Sequence, residues 1–137
     1  VLVCGSPVYC SYPSANLRAF MERLVFPAVN YSNYSAPVVN KVIHSATIYT
    51  MNCPNEDIYR QVKYDVLLEA SARSLGIFGP TEVLLSMNTW QFNDYNRYDA
   101  AAFDVVAKQL QHDTQFPQDL EAAHTLGRRL VEQAAQK

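Results

Sequence analysis

The chain has 137 residues, enough for one domain and too few for two ordinary ones, and its 49% apolar and 18% charged content supplies a core and argues against intrinsic disorder. Lys and Arg number 11 against 13 Asp and Glu, a formal net charge of −2, so the basic excess that neutralises a nucleic-acid backbone is missing. No apolar run approaches the roughly 20 residues of a spanning helix, and the first residues do not show the charged-then-apolar pattern of a signal peptide.

Val1 to Cys4 is a short apolar run of the kind found in strands buried on both faces, closed by Gly5 and the turn signal Ser6-Pro7. Ser14 is an N-cap candidate, and Leu17, Phe20, Met21, Leu24 and Val25 recur at helical spacing, so a helix is expected over 15–26, stopped by Pro27. Residues 28–40, rich in Asn, Ser and Tyr, read as a surface loop. Val42 to Thr50 is rich in β-branched residues and predicts a strand, ended by the turn residues of 51–55.

Ile58, Val62, Val66, Ala70 and Arg73 predict one helix over 57–75, with Gly76 or Gly79 as its stop. Glu82 to Met87 is the third strand, and 88–98 is a long polar and aromatic loop. Phe103, Val106, Ala107 and Leu110 open a further helix, which Pro117 is expected to interrupt before Leu120, Ala123, Leu130 and Val131 carry a final helix to about Gln136. Strands alternating with helices predict a parallel sheet with helices on both faces. The three widely spaced cysteines, Cys4, Cys10 and Cys53, fit reduced thiols in a cytoplasmic protein rather than a disulfide scaffold.

In open α/β sheets, ligands bind outside the carboxyl ends of the strands. The segments leaving those ends, 5–13, 50–55 and 88–98, carry Tyr9 and Tyr12, Tyr49 and Met51, and Trp90, Phe92 and Tyr95, which suit a flat aromatic ligand. From pattern alone, packing of the same rings against helices or a partner subunit is the commoner use. Residues 1–9 (VLVCGSPVY), followed by Leu17-Arg18-Ala19-Phe20-Met21-Glu22-Arg23-Leu24, resemble the flavodoxin-like NADPH-dependent FMN reductase family, including its iron–sulfur flavoprotein branch. The likeness extends through the strand ending near Thr50 to Phe116–Leu130, so it spans essentially the whole chain.

That resemblance implies a flavodoxin-like, three-layer, doubly wound α/β fold, with this chain supplying the last three strands and their helices. It implies an FMN-dependent oxidoreductase that takes electrons from NAD(P)H and gives them to a quinone or similar small-molecule acceptor. Ser6, Pro7, Val8, Tyr9 and Cys10 would lie along the flavin ring, and Thr50, Met51 and Asn52 would form the neighbouring loop. No catalytic side chain is required, because the cofactor carries the chemistry. The family's phosphate-cradling loop has no counterpart here, so 1–137 reads as one domain lacking two N-terminal strand–helix units, about 60 residues at roughly 30 per unit. An iron–sulfur cluster, where present in such proteins, would belong to that upstream part; Cys4, Cys10 and Cys53 lack cluster spacing. The alternatives are an electron carrier without nicotinamide turnover and a cofactor-less interaction fragment.

The remaining candidates read as structural. His44 fits face packing in a strand, while His112, His124 and Arg128-Arg129 fit solvated helix faces. No residue spacing suggests a metal site. A homo-oligomer is expected from the resemblance, with Tyr31, Tyr34, Trp90 and Tyr95 as interface candidates.

Overall fold

A computed structural model describes residues 1–34 and 36–136; Ser35, inside the expected 28–40 loop, lies outside the described residues. The chain runs β1 (Leu2–Tyr9), β2 (Tyr12–Pro13), α1 (Ala15–Val25), β3 (Ser45–Thr50), α2 (Glu56–Gln61), α3 (Tyr64–Arg73), β4 (Thr81–Ser86) and α4 (Val105–Ala135), with short 3₁₀ turns at 26–28, 74–77 and 95–97. This is an α/β arrangement around a mostly parallel sheet of order β2-β1-β3-β4. The β-branched segment SATIYT takes the central place, paired in parallel with β1 on one side and β4 on the other.

Register divides the sheet into two faces, since residues two apart point the same way. Cys4, Thr47 and Val83 share one row and one face. On that face Tyr49, Leu17, Met21, Leu68, Ala72 and Leu75 form the main core with α1 and α3. Tyr49 is fully buried, and its hydroxyl donates to the Leu68 carbonyl at 3.2 Å, tying the central strand to α3. The opposite face carries Ala46 and Leu84 under Leu126 and Leu130 of α4. Under β1 this second face stays open, with Val3 46% exposed.

Helix ends follow from local chemistry. Ser14 Oγ accepts from Leu17 N at 3.4 Å, and Arg23 sits in the last turn of α1. Asn55 Oδ1 accepts from Ile58 N at 3.0 Å, with Glu56 and Asp57 in the first turn of α2.

Five expectations need correction. The first strand does not close at Gly5 but continues through Ser6 and Pro7 to Tyr9; the reversal comes at Cys10-Ser11. Strand pairing keeps Pro7 opposite Thr50, and β2 pairs only with Val8 and Tyr9, so Pro7 has no second strand on its other side that would need its missing N–H. The helix expected over 57–75 is two helices, because Lys63 adopts a left-handed conformation with φ 63°. The second strand starts at Ser45, not Val42; Val42 and Ile43 instead press against Gly79, whose φ of 145° only glycine tolerates freely. Pro117 does not interrupt α4, which runs unbroken from Val105 to Ala135. Pro117 is exposed, so water can satisfy the carbonyl its missing N–H leaves without a donor. The inward face also differs: Val106 and Leu110 are exposed, and Lys108 is buried instead.

Cys10 and Ser11 both have positive φ (49° and 72°) between the paired residues Tyr9 and Tyr12, which defines a type I′ hairpin turn. That turn favours Asn-Gly, and a left-handed non-glycine residue costs roughly 1–2 kcal/mol. Ser11→Gly is therefore expected to raise the unfolding free energy by about 1 kcal/mol in urea denaturation, with an unchanged slope. Pro117→Ala is expected to stabilise by up to about 3 kcal/mol, the penalty of proline in a helix interior, read in the same titration.

Candidate functional site

Because β1, β3 and β4 run parallel, their carboxyl ends meet at one edge. Pro7, Thr50 and Ser86 stand in one row across it. The segments leaving β3 and β4 are stitched together beyond that row. Asn88 N donates to Cys53 O at 2.8 Å, Thr89 N to Met51 O at 3.0 Å, and Thr89 Oγ1 to the same carbonyl at 3.2 Å. Asn88 takes a left-handed conformation (φ 51°) to make the bend.

A cavity of about 340 Å³ opens at this edge. Thr50 stands at the strand end, Met87 to Trp90 form one wall, and Gln111, His112 and Phe116 of α4 form the other. The aromatic walls are ordered by contact. His112 stacks on Phe116 (centroids 5.8 Å apart, planes at 20°) and meets Trp90 edge-on at 5.8 Å. Trp90 in turn packs edge-to-face on Tyr95 at 5.0 Å, whose hydroxyl accepts from Gln91 N at 3.0 Å. Gln111 Nε2 donates to Met87 O at 3.1 Å. Behind the Asn88–Thr89 wall lies Lys108, only 3% exposed, with Nζ donating to Asn88 Oδ1 at 2.9 Å and Thr89 O at 3.0 Å.

The residues expected from sequence divide between the two faces. Thr50 lines the cavity, and Pro7 stands beside it in the same row, exposed. Tyr9 and Cys10 are exposed at the hairpin tip, and Asn52 is exposed on the loop. Ser6 is buried, and its hydroxyl serves the α1 cap: Ser6 Oγ accepts from Ser14 N at 2.9 Å and lies 2.7 Å from Pro7 O. Val8, Met51 and Asn52 line a smaller hollow of about 210 Å³ with Cys53 and Tyr64. Met51 is itself core, at 3% exposure.

Sequence reasoning missed Asn88, Gln111, His112, Phe116 and Lys108. A signal existed for the last: carrying the inward stripe of buried Leu130 and Leu126 and half-buried Ala123 and Asp119 back three turns lands on Lys108. Of the four interface candidates, Tyr95 is buried and Trp90 faces the cavity, while Tyr31 and Tyr34 are exposed and packed edge-to-face at 6.0 Å.

A larger groove of about 580 Å³ runs along α1 between Arg18, Phe26 and Ser74, with no sheet residue in its lining. Its size does not outweigh its place, on a helix flank without converging polar groups from the sheet. Among the described residues, no group of three or more His, Cys, Asp or Glu could hold a metal ion. No helix among them is long and apolar enough to cross a membrane. In comparisons with protein families, curated proteins and solved structures, nothing matches this chain.

Burial sets the local chemistry of the ionisable groups. It pushes the Cys4 and Cys53 thiols up, and the Lys108 ammonium down. Tyr59 is pushed up to about 12 by burial, helped by the nearby carboxylates of Glu69 and Asp65. Cys10 alone of the three cysteines is exposed. One thiol per folded chain is expected to react quickly with Ellman's reagent, and Cys10→Ser should remove that reaction. Cys4 and Cys53 should react only on unfolding; a fast second thiol would contradict the burial described here.

Proposed function

We propose that this chain binds the flavin ring in a flavodoxin-like, FMN-dependent oxidoreductase that uses NAD(P)H to reduce a quinone or similar acceptor. The observation that carries the reading is the meeting of three parallel strand ends, one bearing the GSPVY segment, beside an aromatic cavity lined by Trp90, His112 and Phe116. The residues fit the ring of such a cofactor: flat apolar walls for its faces, and hydroxyl and amide groups of Thr50, Asn88, Thr89 and Gln111 for its polar edge.

When bound, the flavin would supply the hydride and electron chemistry. The chain's own residues bind and orient. Trp90 and Phe116 exclude water from the ring face. Thr50 offers a hydroxyl at the end of the central strand, in the row that Pro7 makes rigid. No side chain of the site needs to move a proton, since positioning alone accounts for much of such a rate enhancement. The homo-oligomer and the cytoplasmic setting implied by the family belong to the same proposal; exposed Tyr31, Tyr34 and Phe26 are the surface that would serve the first.

The test is reconstitution of the protein with FMN. The expected result is a yellow protein whose visible absorbance bleaches on adding NADPH or NADH and returns with a quinone. Thr50→Phe, which fills the mouth of the cavity, should weaken FMN binding at least tenfold while the circular dichroism spectrum stays unchanged. A colourless protein indifferent to FMN would overturn the reading.

A further inference from the structure

Lys108 is a buried cation without an acid. It lies in the first turns of α4, where the helix dipole adds to its positive charge, and it makes no ion pair among the described residues. Asp104, one turn before it in sequence, accepts from Ala107 N at 2.9 Å as the N-cap. On the other side the ring of Phe103 lies 5.7 Å from Nζ. Both oxygens that receive Nζ belong to Asn88 and Thr89, which also line the 340 Å³ cavity. No acidic residue is among the described lining residues. Burying an ammonium is costly unless its surroundings compensate, and two neutral oxygens compensate only in part.

We propose that this cavity is a site for planar aromatic anions, with Lys108 supplying the attraction through the Asn88–Thr89 wall. The aromatic surfaces of Trp90, His112 and Phe116 select flatness, and the cation behind the amides selects negative charge. Lys108 is a positioning and charge-supplying residue that does not itself line the cavity. The proposal rests on the reading above for the location of the site, but not for flavin as its occupant.

Trp90 is the protein's one tryptophan and lines the cavity, so it reports occupancy. The experiment titrates the whole chain with 4-nitrobenzoate and with its neutral counterpart 4-nitrobenzamide, both of which quench tryptophan fluorescence. The expected result is at least tenfold tighter binding of the anion at low salt. That preference should shrink to within twofold in Lys108→Met, and also in Asn88→Asp, which keeps the size of the side chain but sets a carboxylate against the ammonium. The second variant guards against a Lys108→Met protein that fails to fold. Equal binding of the two probes, no binding of either, or a preference that survives in a folded variant would overturn the proposal. FMN is then added to the nitrobenzoate complex. Displacement joins the two readings, whereas anion binding that FMN leaves untouched removes flavin from this cavity and leaves the anion site standing.

Discussion

The parallel pairing of β3 with both neighbours fixes everything that follows from the sheet. Each strand contributes a ladder in which Leu2, Ser45 and Thr81 begin together and Pro7, Thr50 and Ser86 end together. A parallel ladder cannot be closed by tight turns, so helices must carry the chain back, and the strand ends collect at one edge. A single-residue slip would send Tyr49 from the core to the other face and strand its hydroxyl away from Leu68. The site is therefore a by-product of register, and its wall residues are set by how the loops beyond that edge interlock.

The two faces of the sheet carry different loads. The face toward α1 and α3 holds the large buried side chains, and losing one such as Leu68 or Leu75 would cost roughly 2–5 kcal/mol. The face toward α4 is lighter, built on Ala46, Leu84, Leu126 and Leu130, and is reinforced by the ion pair of Arg129 with Glu82 and the bond from Ser86 Oγ to Asp119 at 2.6 Å. Polar attachments suit a helix whose first half must serve a cavity rather than a core. Lys108 and Gln111 reach toward the loop after β4, where a purely apolar stripe would leave that loop without anchors.

Much of the architecture was legible because period reports burial. Leu17 and Met21 at helical spacing, and the β-branched run before Thr50, placed α1 and β3 within a few residues. Single residues that broke the pattern were harder to weigh. Lys63 gave no turn signal, yet its left-handed backbone splits a helix. Pro117 gave a strong stop signal, yet an exposed position let α4 pass through it. Gly5-Ser6-Pro7 read as a turn because its local chemistry favours one, and tertiary pairing with β3 overrode that preference. Of the site, Trp90 was visible from topology and Thr50 from the family resemblance, whereas Lys108 was hidden because a lysine between apolar helix positions ordinarily faces water.

Two serines join the hairpin to α1. Ser6 Oγ and Ser14 Oγ lie 3.1 Å apart, and the same Ser6 oxygen receives the Ser14 amide. Ser6 is buried, and alanine at position 6 would leave that amide without its acceptor. Natural variants that preserve this strand reversal should thus retain small hydroxylated residues at both positions or exchange them jointly, a paired drift that ordinary surface loops have no reason to show.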